Sequence, residues 1–325
     1  MQRAFEILRR LQDGAPHSGA DIASALDITR AAVWNHVKRL QGQGVVIHAV
    51  RGKGYQLPGG YEFLDATAIR HELAPLAARR LATLDVNAVT DSTNQRLLAA
   101  AGRGEVHGHA LVAEYQTAGR GRRGDQWLAP PGSGVCLSLG WRFDAPPATL
   151  SALSLCVGIA VARALAALGA QGLRLKWPND VLHAGRKLAG ILIEMRSEFG
   201  GPCVVVIGIG ANVNLGDTTR ARIPQPTADL AEACGRVPSR NRVVAAILSE
   251  LVAALETFGS QGFPAFEADW RHFDALDGRH VRLELPERNV SGIARGVAPS
   301  GMLMIEHDGG LEGFISGHVR IEDEA

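Results

Sequence analysis

Hydrophobic residues recur at helical spacing at the start of the chain. Phe5, Leu8 and Leu11 fall on one face of a helix predicted over residues 2–12. Ser18 can cap a second, short helix, because its hydroxyl can accept a hydrogen bond from a free amide of the first turn. The chain is therefore predicted to begin with two short amphipathic helices.

A third helix and a hairpin complete this first unit. A tight turn around residues 27–28 leads into a helix predicted over residues 29–41, and residues 45–56 are predicted to form two short strands that turn at residues 52–54. Two helices joined by a tight turn outline a helix-turn-helix, whose second helix enters the major groove of DNA. Residues 1–60 are therefore predicted to be a winged helix-turn-helix domain.

The hydrophobic pattern changes after residue 60. Residues 61–274 alternate strands with helices, which predicts a mixed sheet with helices packed against it. Residues 275–325 alternate short hydrophobic runs with glycine turns, which predicts a small all-β barrel of five or so strands. The predicted fold class is thus a multidomain α+β protein. The central strands are predicted over residues 84–89, 110–114, 135–141, 173–176, 187–195 and 203–209, and the central helices over residues 92–101, 150–168 and 241–258.

The composition is that of an ordinary globular chain. Of 325 residues, 46% are hydrophobic and 21% are charged, and the net charge is +1. The most apolar stretch, residues 151–170, is interrupted by Arg163, which predicts a buried helix and not a membrane span. The first residues are charged and amphipathic, unlike a secretory leader, and the four cysteines lack the close spacing of zinc or redox motifs. A cytoplasmic protein with no membrane partner is predicted.

Local charge favours nucleic acid as a partner of the first domain. Residues 1–60 contain eight Arg and Lys against four Asp and Glu, although the whole chain is nearly neutral. Phosphate contacts from basic side chains would give salt-dependent affinity, while polar side chains would read base edges. The alternative is a protein-docking module. The predicted DNA-contacting residues, on or near the outer face of the third helix, are Thr29, Arg30, Trp34, Asn35, Lys38 and Arg39.

A loop of alternating glycine and arginine is the most informative chemical motif. Residues 114–124 read Glu-Tyr-Gln-Thr-Ala-Gly-Arg-Gly-Arg-Arg-Gly and follow a predicted strand. Gly119, Gly121 and Gly124 are expected to adopt positive φ angles and to let the backbone approach a ligand. The three intervening arginines supply planar donor forks that match phosphate and carboxylate groups. A small-molecule anion site is predicted; the alternative is a basic loop that contacts nucleic acid or only solvent.

Four further polar motifs lie at strand ends of the central domain. Each indicates little by itself, because a lysine at a strand end is usually solvated and Asn-Asp usually makes a turn. The motifs are Asp91-Ser-Thr-Asn94, Lys176-Trp-Pro-Asn-Asp180, Lys187-Leu-Ala-Gly190 and Gly208-Ile-Gly-Ala-Asn-Val-Asn214.

Together with the glycine-arginine loop, these motifs resemble those of bifunctional biotin protein ligases, which also repress the biotin operon. The resemblance covers essentially the whole chain. It implies a class II synthetase-like ligase domain, an SH3-like C-terminal barrel, and biotin and ATP with Mg²⁺ as ligands, combined through biotinyl-5′-AMP. It also implies that biotin or its activated carboxylate is bound by Ser92, Thr93, Asn94, Gln116, Arg120, Gly121, Arg122 and Lys187.

The same resemblance implies the remaining roles and partners. The catalytic cations would be Arg120, Arg122 and Lys187, and Asp180 would be a candidate Mg²⁺ ligand. The partners would be the biotin carboxyl carrier protein of acetyl-CoA carboxylase, operator DNA, and a second copy of the chain when ligand is bound. The nucleotide would contact Arg123, Trp127, Asn179 and Asn212.

Three other functions remain open at this stage. The ligase domain could act only as a biotin sensor for a DNA-binding repressor, although the intact arginines and lysine argue against a loss of catalysis. The acid could be a different one, such as lipoate, although the loop is of the biotin type. A DNA-binding protein with an unrelated globular domain would leave the central motifs without a purpose.

Overall fold

The first unit of the structure is the predicted winged helix-turn-helix. Thr29 accepts a hydrogen bond from the amide of Ala32, so the recognition helix begins one residue after its predicted start. The computed structural model describes residues 1–102, 104, 106–197 and 203–322. The elements of the first unit are α1 (Gln2–Leu11), α2 (Gly19–Leu26), α3 (Arg30–Gly42), β1 (His48–Val50) and β2 (Gly54–Gln56).

The wing differs from the prediction at one glycine. The hairpin turns at residues 51–53, and Gly54 already belongs to β2. Its φ is +109°, and a Cβ atom at this position would overlap the backbone of His17, because β2 also bridges to that segment through Tyr55. Glycine is therefore required here for a close approach of two backbones, more than for the turn itself.

The central unit contains the predicted mixed sheet. Its seven strands lie in the order β3-β4-β5-β9-β8-β7-β6, in which β3 and β4 are parallel and the other neighbouring pairs are antiparallel. The elements are α4 (Ala66–His71), α5 (Pro75–Arg80), β3 (Thr83–Asn87), α6 (Thr93–Ala101), β4 (His109–Ala113), β5 (Gly134–Phe143), α7 (Leu153–Ala167), β6 (Leu173–Lys176), β7 (Asp180–His183), β8 (Arg186–Ser197), β9 (Cys203–Asn212), α8 (Asp217–Arg220), α9 (Leu230–Cys234), α10 (Arg240–Gln261) and α11 (Glu267–Phe273).

The two faces of this sheet are covered differently. Val112 and Ile207 belong to the large core that contains α7 and α10. Their neighbours Leu111 and Val206 point to the other face, as successive strand residues do, and pack against Leu97 of α6. The second face is therefore covered by α6 over only part of its area, and the uncovered part forms the floor of a cavity.

Among the described residues, two segments are long and apolar enough to cross a membrane by length and composition, Pro147–Ala167 and α10. Most of each apolar window is buried inside the protein, and α7 and α10 pack against each other. The prediction of a buried helix agrees with this packing. The helix predicted over residues 150–168 starts at Leu153, because Pro147–Leu150 forms a separate 3₁₀ turn.

The C-terminal segment forms a five-stranded antiparallel sheet with the order β13-β12-β11-β10-β14, where a barrel was predicted. The strand pairing makes β13 and β14 the two end strands. Residues 323–325 of the predicted third domain lie outside the described part of the chain. The strands are β10 (His280–Glu284), β11 (Asn289–Val297), β12 (Leu303–His307), β13 (Gly310–Phe314) and β14 (His318–Ile321).

A buried ionic network joins the segment after the wing to the central unit. Glu114 follows β4, and its carboxylate accepts hydrogen bonds from Tyr61 Oη at 2.9 Å, Leu64 N at 2.6 Å and Arg240 Nη1 at 2.9 Å. The guanidinium also donates to the carbonyl of Glu62. Burial and the nearby carboxylate raise the pKa of Tyr61 well above its ordinary value. We call residues 57–65, between β2 and α4, the linker. Because Glu114 begins the glycine-arginine segment, its carboxylate holds both the linker and that loop.

Candidate functional site

Two rows of strand residues form the floor of the cavity. In the first row, Asp180, Gly190, Gly210 and Cys136 are cross-strand partners on β7, β8, β9 and β5. In the second row, two residues along, Leu192 pairs with Gly208 and Gly208 with Ser138. Cross-strand partners point to the same face of a sheet, so the glycines leave a trough between polar residues.

The glycines of the trough are required by side chains that lie on them. A Cβ atom at Gly208 would overlap the Asn94 amide, and one at Gly210 would overlap the indole of Trp127. The resulting cavity has a volume of about 510 Å³, within the usual range for a small-molecule site. Every residue predicted to bind ligand, nucleotide or metal lines it: Ser92, Thr93, Asn94, Gln116, Arg120, Gly121, Arg122, Arg123, Trp127, Asn179, Asp180, Lys187 and Asn212.

The glycine-arginine loop closes one side of the cavity. Trp127 N donates to Gly119 O at 3.0 Å, and Gly121 N donates to Asp125 O at 2.7 Å, so the loop folds back on itself. The expectation of positive φ is correct at Gly124 and wrong at Gly119 and Gly121. A Cβ atom at Gly119 would lie 2.5 Å from Trp127 O, so glycine is needed there for space. The other positive φ in the loop belongs to an arginine, Arg123, at +53°.

Polar groups at the start of α6 form one end of the cavity. Ser92 caps the helix, and the amide and hydroxyl of Thr93 contact Gln116 Oε1 at 2.7 and 3.1 Å. Since this oxygen is occupied, the donor end of Gln116 is its amide nitrogen, which lies next to Cys136. Burial raises the pKa of the Cys136 thiol to about 12, against a hydrogen bond with Gln116 that lowers it, so the thiol stays protonated and is no nucleophile.

Asn94 was predicted to bind the ligand, and the amide nitrogen of its side chain already donates to groups of the protein. Nδ2 donates to Leu192 O at 3.1 Å and to Glu194 Oε2 at 3.0 Å, while Oδ1 accepts from Ser138 Oγ at 2.6 Å. A primary amide has two N–H donors, and both are used here. Asn94 therefore shapes the cavity through its contacts with the strands; it also lines the cavity, and its contact with the ligand stays a prediction.

Asn212 was predicted to lie near the nucleotide, and its amide nitrogen likewise donates hydrogen bonds within the protein. Its Nδ2 donates to Ala228 O at 3.0 Å and to Lys187 O at 3.4 Å, and the side chain is buried. The amide thus joins β9 to the backbone on either side of β8. Asn212 holds Lys187 in place and has no donor left for a nucleotide.

Cationic side chains form the other end of the cavity. Arg122 Nη1 donates to Asn179 Oδ1 at 3.1 Å, and Asn179 Nδ2 in turn donates to Ile191 O at 2.9 Å. Burial, followed by the positive charge of Arg123, lowers the pKa of Arg122. Burial also lowers the pKa of Lys176. Cations held in a partly desolvated site gain more from an arriving anion than solvated ones do.

Lys187 reaches this face of the sheet because of a β-bulge. Val181 pairs with Ala189 but Leu182 pairs with Lys187, so Leu188 is an extra residue in β8. The extra residue reverses the alternation and brings the lysine to the face of the glycine trough. Its Nζ lies 2.8 Å from Asp180 Oδ1 and 5.9 Å from the centre of the Trp127 ring.

The donors for a metal ion are few. Asp125 and Asp180 are the carboxylates among the described lining residues, and Asp180 is already paired with Lys187. In the described part of the chain, no cluster of three or more His, Cys, Asp or Glu could hold a metal ion. Mg²⁺ commonly keeps most of its ligands from water and substrate phosphates, so this donor set fits a metal held mainly by a nucleotide.

Several functional positions were not found from the sequence. Ser138 and Glu194 support Asn94, but they lie inside strands with no motif around them. Trp177 of the Lys-Trp-Pro-Asn-Asp motif is buried, and its Nε1 donates to Gly301 O at 3.0 Å, which anchors the C-terminal sheet. That sheet then contributes lining residues from Gly317 to Val319. Contacts between residues so distant in sequence leave no spacing signal.

The outer face of α3 is exposed as predicted. Lys38 Nζ lies 5.8 Å from the centre of the Trp34 ring, and the indole is 52% exposed. The helix therefore presents an indole and an ammonium group together on its open face. The other predicted DNA-contacting side chains, also exposed, are Thr29, Arg30, Asn35 and Arg39.

The fold and the cavity define a two-part protein, with a helix-turn-helix domain before a ligase-type domain. Residues 3–56 match a helix-turn-helix domain family, residues 86–214 match the biotin/lipoate A/B protein ligase family, and residues 278–320 match the biotin protein ligase C-terminal domain.

Curated relatives are similar over the whole length. The bifunctional ligase/repressor BirA of Salmonella typhimurium is 38% identical over 97% of this chain and 96% of its own, and that of Escherichia coli is 38% identical over 98% and 96%. The biotin protein ligase from Aquifex aeolicus, solved in complex with biotin and ATP, is similar with a TM-score of 0.63 at 28% identity, covering 74% of this chain and all of its own. The chain belongs to the family of bifunctional biotin protein ligases and repressors.

Proposed function

We propose that this protein is an ATP-dependent biotin protein ligase that is also a biotin-responsive repressor. The observation that carries the ligase function is the cavity itself, which has a neutral polar end at Thr93 and Gln116 and a cationic end at Arg122 and Lys187. A neutral cyclic urea with a carboxylate tail matches that polarity. The acceptor is a lysine of the biotin carboxyl carrier protein of acetyl-CoA carboxylase.

The first half-reaction joins two anions. A biotin carboxylate oxygen attacks the α-phosphorus of ATP, the bond between the α-phosphorus and its bridging oxygen breaks, and pyrophosphate leaves. Arg120, Arg122 and Lys187 oppose the charge repulsion between the reactants, and each charge-assisted contact contributes about 1.5–3 kcal/mol. Arg123 and Asn179 lie on the nucleotide side, and the indole of Trp127 offers a flat surface to the adenine.

The second half-reaction uses no enzyme nucleophile. A neutral lysine amine of the carrier attacks the carbonyl carbon of biotinyl-5′-AMP, an amide forms, and AMP leaves with the electron pair while the amine loses a proton. Ser92, Thr93 and Gln116 hold the ring system, and the backbone at Gly121 approaches the acyl group. Mg²⁺, held mainly by the phosphates with one oxygen of Asp180 available, would supply charge neutralisation on the triphosphate.

The ligase function is tested by a single-turnover assay. Purified protein with radiolabelled biotin, ATP and Mg²⁺ is expected to form biotinyl-5′-AMP, and to transfer label to a carrier protein added afterwards. Lipoate in place of biotin is the matched control and is expected to give no adenylate. A protein that binds biotin without forming the adenylate would instead be a sensor, and one that prefers lipoate would belong to the other branch of the family.

The repressor function rests on the exposed face of α3. We propose that biotinyl-5′-AMP favours a homodimer whose two recognition helices meet the two half-sites of an operator. A gel shift on operator DNA is expected to tighten when biotin and ATP are added together. Equal affinity with and without these ligands would refute the coupling, and loss of DNA binding in Lys38→Ala but not Lys53→Ala would assign it to α3.

We also propose the finer points of architecture and location. The domains are residues 1–60, 61–274 and 275–325, the central sheet is class II synthetase-like, and the C-terminal sheet curves into an SH3-like barrel. The antiparallel order of the C-terminal strands supports the barrel, and the mixed sheet with helices on both faces supports the synthetase-like architecture. The protein acts in the cytoplasm.

A further inference from the structure

Glu194 lies just behind the wall of the cavity. It is on the same face of β8 as Gly190 and Leu192, one strand step beyond the trough. Its Oε1 lies 3.2 Å from Arg120 Nη1, and its side chain is 22% exposed while that of Arg120 is 47% exposed. The carboxylate therefore contacts an arginine of the ligand loop that also lines the cavity.

The other carboxylate oxygen is held by a chain of hydrogen bonds. Ser138, which is fully buried on β5, lies 2.6 Å from Asn94 Oδ1, and Asn94 Nδ2 lies 3.0 Å from Glu194 Oε2. We call Ser138, Asn94 and Glu194 the relay. It joins the centre of the sheet to Arg120.

Hydrogen bonds link the members of the relay. Ser138 Oγ lies within hydrogen-bond distance of both Asn94 Oδ1 and Thr93 Oγ1, and the amide nitrogen of Asn94 donates to Glu194 Oε2. A carboxylate with one oxygen fixed in this way cannot turn freely. Two strands and a helix N-terminus supply the three members, so the second oxygen has a defined place.

We propose that Glu194 is a positioning residue for the ligand loop. Its Oε1, placed by the bond that Asn94 makes to Oε2, holds one edge of the Arg120 guanidinium and leaves the remaining N–H groups of that planar fork for the ligand carboxylate. The backbone of Arg120 also pairs with that of Gln126 in an isolated β-bridge at the base of the loop. The contact between Glu194 and Arg120 therefore orients the loop as well as the side chain. This inference rests on the proposed function.

Glu194→Gln tests the role directly, because glutamine can keep the contact with Asn94 but has no charge for Arg120. KM for biotin in adenylate formation is expected to rise about tenfold, the size of one charge-assisted contact, with a smaller change in kcat. Glu306→Gln is the matched control, since Glu306 pairs with Arg295 on the exposed C-terminal sheet, and it is expected to leave both constants unchanged.

A double-mutant cycle separates positioning from a merely structural role. If Glu194 acts through Arg120, then Glu194→Gln adds nothing in an Arg120→Gln background. Equal kinetics for Glu194→Gln and wild type, or multiplicative effects in the double variant, would overturn the inference. If Glu194→Gln is insoluble, Glu194→Asp keeps the charge but shortens its reach, and the same cycle applies. A wild-type protein that forms no biotinyl-5′-AMP would refute the proposed function instead, before any variant is compared.

Discussion

Removing Arg240 is expected to weaken the junction between the linker and the central sheet. Its side chain and that of Glu114 are 4% and 3% exposed, and the two form an ion pair at 2.9 Å. Burial by itself would lower the pKa of Arg240, but Glu114, Tyr61 and Glu62 together outweigh it and raise that pKa. In Arg240→Met the carboxylate keeps its bonds from Tyr61 and Leu64 but loses its counter-charge.

The magnitude follows from leaving a charge buried. Breaking a buried ion pair by removing one partner costs about 3–5 kcal/mol, and the two remaining hydrogen bonds place this case near the lower limit, about 3 kcal/mol. For a unit of this size the melting temperature would fall by roughly 6–12 °C. Differential scanning calorimetry measures this change. The matched control is Arg295→Met, whose half-exposed pair with Glu306 should contribute less than about 1 kcal/mol.

A double variant identifies the cause of the loss. Arg240→Met combined with Glu114→Gln removes both charges, so it is expected to recover part of the lost stability. If Arg240→Met melts no lower than Arg295→Met, the pair contributes little. If the double variant is less stable than Arg240→Met alone, the orphaned charge is not the source of the loss.

Three further predictions concern the cavity. Lys187→Met should lower kcat/KM for adenylate formation by one to two decades, the size of about 1.5–3 kcal/mol, in a pyrophosphate-release assay; an unchanged value would exclude a catalytic role. Gly210→Ala should displace the Trp127 indole and raise KM for ATP about tenfold, whereas Gly216→Ala, with open space around it, should not. Because burial lowers the pKa of Lys176, its ammonium loses its proton at a lower pH than that of an exposed lysine when the pH rises; the alkaline loss of activity should therefore begin at lower pH in wild type than in Lys176→Arg, and coincident pH profiles would contradict this.

The sequence predicted the parts of the fold that depend on local pattern. Phe5, Leu8 and Leu11 identify α1 because their spacing of three is also the spacing of its buried face. The glycine-arginine loop and the strand-end motifs identified the cavity, since these residues are close to one another within each motif. The family resemblance then related the motifs to one ligand.

Long-range contacts could not be predicted in the same way. Asn94 lies one hundred positions before Glu194, and the packing of α6 against β8 and β9 places them together. A sequence gives the donors of an amide but not their partners, so the bonds that Asn94 and Asn212 make to backbone carbonyl groups could not be predicted. Similarly, the glycines at 119 and 121 were assigned to unusual backbone angles, whereas glycine is needed at 119 because a Cβ atom would overlap the carbonyl of Trp127.

The bare backbone at Gly190, Gly208 and Gly210 has a consequence for redesign. A methyl group added at Gly190 would meet only atoms at 3.0 Å or more, whereas one added at Gly208 or Gly210 would overlap the Asn94 amide or the Trp127 indole. Selectivity among ring systems of different bulk can therefore be adjusted at Gly190, where the nearest neighbours are the flexible end of Lys187 and the ring edge of Trp127. It cannot be adjusted at Gly208, where the hydrogen-bonded amide of Asn94 lies directly above.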